Sequence, residues 1–371
     1  MSFSLKILNP GLLSSVQDMG RIGYRRFGVP KSGALHTELA VIANKLAGNA
    51  PQMPVIEFFL QGPTLTLQSG TARLSLSGDF NAELIRKGFK TKLRSWCSVT
   101  LKAGDSLQVG NVKSGKVGYI GVAGGLGISK TMGSYSTYMR GGFGGCDGKK
   151  LSANAVFQIP ETDFSDKLDS CLAENPDDKV FAKANSSEPY IIRVVLGPQD
   201  DYFTEPEIDK FLSGNYKIGR DSDRMGSRLE GAVLSHHPDK KPEIVSDGIV
   251  PGAIQVPGNG SPIVLLADGP TVGGYPKIAT VISSDLSKLA VMLPGSIIKF
   301  QAVESEEAEK ILIQERKELA ALLENLQPMK PVGVIDLEAL YGTNLICGVI
   351  NALSEIPDED YISKYSKVVK P

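Results

Sequence analysis

Cysteine and histidine are scarce in this chain, and their scarcity closes several chemistries at once. The 371 residues include four cysteines, Cys97, Cys146, Cys171 and Cys347, widely separated and without a C-x-x-C pair. Such spacing supports neither a structural zinc site nor a disulfide framework. The three histidines are His36, His236 and His237; the adjacent pair diverges in either regular structure, so no metal site is expected. No G-x-S-x-G elbow and no G-x-x-x-x-G-K-[ST] loop occurs, which leaves serine-triad hydrolysis and a Walker A nucleotide site without their motifs. Neither sign of charge dominates, with a formal net charge of −1, so no global field draws nucleic acid or an anionic membrane. Residues 1–10 lack a basic n-region and an apolar core, so no secretory signal is expected. No window approaches ~18 uninterrupted apolar residues, the length a spanning helix needs. The expectation is a reduced, cytoplasmic protein.

Glycine, by contrast, is abundant: 40 residues, with 22 prolines beside it, spread without a period. Tight turns between short apolar runs predict a mainly β protein. Strands are expected at 55–60, 65–67, 73–77, 98–101, 106–109 and 117–122, then at 191–196, 263–266 and 297–300. Residues 33–46 break the pattern with Leu35, Leu39, Ile42, Ala43 and Leu46 at helical spacing, Ser32 as N-cap and Gly48 just past the end. Residues 204–212 carry a helix start at Thr204, Pro206 and Glu207, and residues 284–293 read as a short amphipathic helix. Residues 304–326 contain no Gly or Pro and place Ala308, Ile311, Leu312, Leu319, Leu322 and Leu323 on one face. The resulting organisation is a first unit at 1–160, an acidic linker at 161–189, a second unit at 190–303 and a helical extension at 304–371. Within that extension, 340–353 has enough apolar content to dock.

Five glycine-rich polar stretches combine turn residues with groups able to bind or polarise a substrate. Residues 15–33 hold Gln17, Asp18, Arg21 and further arginines, a composition suited to anionic oxygens and equally to surface ion pairs. Residues 124–148 hold nine glycines with Ser134, Thr137 and Arg140; such density needs successive tight turns or close approach of main chain to a ligand or another protein. Residues 219–231 interleave Asp223, Arg224 and Arg228, either a solvated ion-pair network or a polar pocket wall. Residues 247–260 contain Gln255, whose amide both donates and accepts, which suits an amide or ureido substrate. Residues 266–278 contain Gly273, Gly274, Tyr275 and Lys277. No nucleophile–base–orienter set is present among them. Positioning and electrostatic stabilisation are what these groups can supply.

The stretches SVQDMGRIGYRRFGVPKSGAL, EFFLQGPTLTL, GVAGGLG, GSYSTYMRGGFGG, SDRMGSRLEG, GAIQVPGNGSPIVLLAD and GGYPKIATVISSDL, in this order over about residues 5–303, resemble the allophanate hydrolase subunit 2, or carboxyltransferase A/B, family. The resemblance implies two linked cyclophilin-like β-barrel subdomains with few helices, plus the C-terminal helical extension. It also implies a subunit-1-type (carboxyltransferase C/D) partner, and a third, LamB-type component in the 5-oxoprolinase case. That case is ATP-dependent opening of a lactam by the assembled complex. A urea carboxylase case would instead use carboxybiotin on a separate carrier, and a regulatory binding protein is a further alternative. On this basis Arg21, Arg224 and Arg228 are expected to bind anions, Gln255 and Tyr275 to orient substrate, and Asp223 to orient or accept a proton. Gln17, Asp18, Ser134, Thr137, Arg140, Gly273, Gly274 and Lys277 are expected around the substrate. Two departures change charge beside these loops: His36 stands where the family reads an acid in S-G-A-M-D, and ADGPT replaces A-D-R-Q-T. Met329-Lys330 matches a biotin-acceptor dipeptide only by chance, since proline follows it.

Overall fold

A computed structural model describes residues 2–162, 168–173, 176 and 188–329, and within them the chain is mostly β. The first part supplies β1 (Ser2–Asn9), β2 (Leu13–Gln17), helix α1 (Thr37–Ala47), β3 (Val55–Phe59), β4 (Thr64–Leu67), β5 (Thr71–Ser77) and β6 (Phe80–Arg86). It continues through β7 (Phe89–Arg94), β8 (Cys97–Lys102), β9 (Ser106–Val112), β10 (Val117–Val122), β11 (Val156–Pro160) and β12 (Ser170–Leu172). These form two sheets. One has six strands in the order β11-β1-β4-β9-β6-β7, and the other has β2-β3-β10-β5-β8-β12 plus one strand from the end of the described chain.

All six expected strands of this part are present. Strands β2, β6 and β7 escaped the apolar pattern for identifiable reasons. In β2 the buried residues include Ser14, Ser15 and Gln17, so polarity hides burial. In β6 and β7, charged side chains alternate along a hairpin closed by Lys87 and Gly88, both at positive φ, as a two-residue type I′ turn requires. Strand β10 is buried on both faces, because α1 packs over β10 and β5. Helix α1 begins at Thr37 with His36 as N-cap, not Ser32, and ends at a left-handed Gly48 as expected.

The stretch read as a linker contributes β12, which joins β8 at Cys171 and Cys97. Asp169 explains the attachment. Its carboxylate accepts from the Thr100 N–H at 2.9 Å, the Thr100 hydroxyl at 2.8 Å and Arg73 Nε at 3.1 Å. An acidic residue therefore sits on the sheet edge and does not float.

The second part contains β13 (Tyr190–Leu196), α2 (Glu205–Ser213), β14 (Asn215–Ile218), β15 (Gly226–Gly231), β16 (Asp247–Gly248), β17 (Ala253–Gln255), β18 (Ile263–Leu265), β19 (Val272–Gly273), β20 (Lys277–Val281), α3 (Ser283–Ala290) and β21 (Ile297–Ala302). Seven of these strands close a barrel in the order β13-β20-β17-β18-β15-β14-β21, and β16 with β19 forms a separate two-stranded ribbon. Helix α2 starts at Glu205 with Thr204 as N-cap and proline in its first turn, as its sequence signals. Helix α3 stops at Ala290, three residues short of the expected end.

Helix α4 (Ser305–Glu324) follows, and β22 (Leu326–Pro328) then returns to pair with β12. The expected apolar stripe of α4 is half-buried, and no residue of the helix is fully buried. One apolar cluster runs from α1 and β10 into the barrel, with Leu319, Leu322 and Leu323 of α4 against it. No helix among the described residues is long and apolar enough to cross a membrane. The expected docking segment 340–353 lies outside the described residues.

Candidate functional site

The candidate residues separate into three neighbourhoods. The first joins the loops around residues 17–33 and 131–148 through Asp18, which is buried at the end of β2. Its carboxylate accepts from the Ser134 hydroxyl at 2.7 Å, the Tyr135 N–H at 2.7 Å, the Gly20 N–H at 2.8 Å and, in a short contact, the Ser136 hydroxyl. Thr137 donates both its N–H and its hydroxyl to Val16 O, each at 2.9 Å. Gln17 donates to Ser15 Oγ at 3.0 Å and Thr137 O at 3.3 Å, while its buried Oε1 has no partner.

Arg21 threads the same pair of loops. Its Nε donates to Thr131 O at 3.1 Å and its Nη2 to Ser136 O at 2.8 Å, with the guanidinium 4.9 Å from the Phe143 ring centroid. Only Nη1 lacks an acceptor. Burial lowers its pKa against the pull of Asp18 and Asp268. Gly144 is what lets this arginine pass. At φ 75° a Cβ there would lie 2.2 Å from Ser136 O and 2.8 Å from Arg21 Nη2, so the glycine density of this loop answers in part to close approach. Arg21 was expected to face an anion; its environment is main-chain carbonyls and an aromatic ring. Arg140 is exposed on the same loop.

The second neighbourhood centres on Arg224, which is 5% exposed. Its Nε donates to Asp268 Oδ2 at 2.7 Å, its Nη2 to Gly33 O at 2.6 Å, and its Nη1 makes a short contact with Glu57 Oε1. Glu57 in turn accepts from the Tyr119 hydroxyl at 2.6 Å and the Leu35 N–H at 2.8 Å. Burial works to depress the Arg224 pKa, and the charges of Glu57 and Asp268 more than reverse it. Both edges of the guanidinium fork are therefore committed inside the protein. The neighbouring Asp223 is exposed and uses Oδ1 to accept from the N–H groups of Met225 and Gly226 at 2.7 and 3.3 Å. Arg228 is exposed on β15.

The third neighbourhood lies on the barrel, where Gln255 and Lys277 are register partners on β17 and β20 beside a bulge. Buried Lys277 donates to Asp247 Oδ2 at 2.7 Å and Gly248 O at 3.4 Å. Its hydrogen bond holds the Asp247 pKa low, with help from the Gly248 N–H. Gln199 completes the group, accepting from the Lys277 N–H at 3.2 Å and donating to Asp247 at 3.3 Å. Gln255 is 6% exposed, and its Nε2 has no acceptor. A Cβ on Gly273 would sit 2.7 Å from that nitrogen, so glycine at this position leaves the amide approachable. Gly274 O accepts from Ile244 N at 2.8 Å, and Tyr275 stands 41% exposed at the rim.

Residues 27–302 match the family model for the carboxyltransferase domain, subdomain A and B. The chain belongs to that family. It is 34% identical to a 5-oxoprolinase subunit from Escherichia coli over 306 residues, covering 82% of this chain and 93% of that protein. It is 30% identical to urea amidolyase of Saccharomyces cerevisiae over 329 residues, covering 83% of this chain but 17% of that one. The solved K. lactis urea amidolyase matches with a TM-score of 0.75 at 26% identity, over 90% of this chain and 20% of that one. The chain thus spans about a fifth of the amidolyases it resembles, and its relatives are named as enzymes or enzyme subunits.

Several residues of this carboxyltransferase A/B chain were not singled out by its motifs. Glu57 is a charge inside the apolar run VIEFF, a signal that a buried partner must exist. Asp247 and Gln199 had no such signal. Nor did Lys116, which is 7% exposed immediately before β10. Burial pushes its ammonium down to about 8, against the pull of Asp223 and Glu57. No group of three or more His, Cys, Asp or Glu side chains that could hold a metal occurs among the described residues.

Proposed function

We propose that the chain is the carboxyltransferase A/B-type subunit of an ATP-dependent enzyme that opens a small lactam or amide, active with a subunit-1-type partner and a third component. The observation that carries this reading is the buried Gln255 amide, whose Nε2 has no acceptor at a position kept open by Gly273. An amide carbonyl satisfies such a donor, and a buried donor left unmatched costs about 1–3 kcal/mol. Similarity over nearly the whole of a 5-oxoprolinase subunit supports the same reading. The Lys277–Asp247–Gln199 group supplies a rigid polar wall beside the amide.

ATP fits the assembly better than this chain, since no Walker A loop is present. The second reading, carboxyl transfer from carboxybiotin on a separate carrier to urea, draws on the likeness to urea amidolyase. A ureido carbonyl would meet the same Gln255 donor.

Reconstitution tests the assignment. The chain with its subunit-1-type and LamB-type partners should convert 5-oxoproline to glutamate only when ATP is present. No turnover by the complete assembly removes the lactam reading. Carboxylation of urea in the presence of a biotinylated carrier would establish the second. Binding of a kinase inhibitor without turnover in any assembly would leave a regulatory protein.

A further inference from the structure

A cavity of about 550 Å³, which Gln255 does not line, lies between the loop leading into α1, helix α3 and helix α4. Its volume is in the range of small-molecule sites. Leu286 of α3 with Leu312 and Leu319 of α4 forms an apolar wall. α4 lies beyond the residues matched by the family model, which end at 302, so two of the three leucines come from outside the matched unit.

The polar groups around the cavity divide into committed and uncommitted ones. Both lining carboxylates are committed. Glu315 takes the ammonium of Lys288 at 2.9 Å, and Glu38 lies 3.0 Å from His36 Nδ1. Burial alone would raise the Glu38 carboxyl, but the hydrogen bond and charge of His36 outweigh it and carry it down to about 2. Glu38 is accordingly an anion that already lies against a hydrogen-bonding partner. His36, the residue that departs from the family's acid, is that partner.

The uncommitted groups are cations and a hydroxyl. Lys31 and Arg316 line the cavity without an acidic partner among the described residues. Ser32, between Lys31 and Gly33, is 3% exposed, yet its Oγ has no hydrogen-bonding partner. It is held at φ 53°, a conformation that side chains rarely adopt. A buried hydroxyl without a partner in a lining loop indicates a missing hydrogen-bonding group.

We propose that this cavity binds a small monocarboxylate with a compact apolar body, its carboxylate meeting Lys31, Arg316 and the Ser32 hydroxyl and its carbons lying on the leucine wall. Arginine and a hydroxyl are the natural partners of a carboxylate in such a place. The site is separate from the one used for the proposed reaction, so neither assignment depends on the other.

The test uses the full chain with methyl-labelled Leu, Ile and Val, titrated with hexanoate, hexylammonium and hexanol in turn. Hexanoate should shift the methyls of Leu286, Leu312 and Leu319 and bind at least about tenfold more tightly than either analogue. Arg316→Met, on the exposed face of α4, should remove most of that preference without disturbing the fold. Leu312→Trp should fill the cavity and abolish the shifts. Equal binding of hexanol, tighter binding of hexylammonium, or no shift at those leucines up to about 10 mM hexanoate overturns the proposal. So does a hexanoate preference unchanged in Arg316→Met.

Discussion

Arg224 and Glu57, 167 positions apart in sequence, meet as a buried ion pair that ties the barrel to the seven-stranded sheet. Asp268 holds the other edge of the guanidinium and Tyr119 the other oxygen of Glu57. Removing one member of such a set strands a charge in the interior, which costs about 3–5 kcal/mol. Arg224→Met and Glu57→Gln should each lower stability by that order in urea unfolding. The motif reading assigned Arg224 to an anion, a role whose loss in Arg224→Ala would cost activity and leave the fold intact. The burial of Arg224 leads to the opposite order, with unfolding preceding any specific effect on turnover. An Arg224→Ala chain as stable as wild type would return Arg224 to the substrate.

Asp18 plays a comparable part with neutral donors. Four groups from two loops converge on one carboxylate, and hydrogen bonds to a charged acceptor are worth about 1.5–3 kcal/mol each in favourable cases. Asp18→Asn keeps the shape but turns one oxygen into a donor facing donors. The loop around 131–148 should then open. Amide exchange at Tyr135 should speed by about two orders of magnitude for a local loss of about 3 kcal/mol, and Ser134→Ala should do much less. Equal exchange in Asp18→Asn and wild type would rule out Asp18 as the organiser of that loop.

These two residues also show what the sequence could convey. Short apolar runs such as 55–60 and 117–122 became strands because their burial is largely apolar and therefore visible. The β6–β7 hairpin was hidden because charged side chains such as Lys90 and Glu83, an ion pair, interrupt its apolar pattern, although its Lys-Gly turn was readable. Asp18, Ser134 and Thr137 were recognised as members of two loops, but their mutual bonding depends on which loops meet, and no local pattern encodes that. Arg224 was assigned to an anion because its true anion, Glu57, lies on a distant strand. The stripe on α4 was legible from spacing alone, since a helix without Gly or Pro fixes its own face.

Gln255 separates function from stability in the opposite sense to Arg224. Its Nε2 is buried without an acceptor, so replacing the amide by an apolar group of similar size removes a desolvation penalty and creates little new strain. Gln255→Leu should leave the unfolding free energy unchanged or raise it by up to about 1 kcal/mol. Turnover by the assembled enzyme should fall by about two orders of magnitude, if one hydrogen bond of about 2.7 kcal/mol to the reacting carbonyl is lost. Substrate turnover equal to wild type in Gln255→Leu would exclude contact between this amide and the reacting group.

Lys116 gives the chain a stability that depends on pH in an uncommon direction. Its ammonium titrates near 8 in the folded protein because burial disfavours the charge, against about 10.5 when unfolded. Between those values the unfolded chain holds more protons than the folded one, so stability rises with pH across that window. Below about 8 the folded state carries the full cost of the buried charge, at most about 3 kcal/mol. Lys116→Met removes that cost and should raise the melting temperature at neutral pH, with the advantage over wild type shrinking as pH climbs from 8 toward 10.5. Paired thermal melts of wild type and Lys116→Met at pH 7 and pH 10 measure it. A difference that stays constant between the two pH values would mean that Lys116 titrates as an ordinary surface lysine.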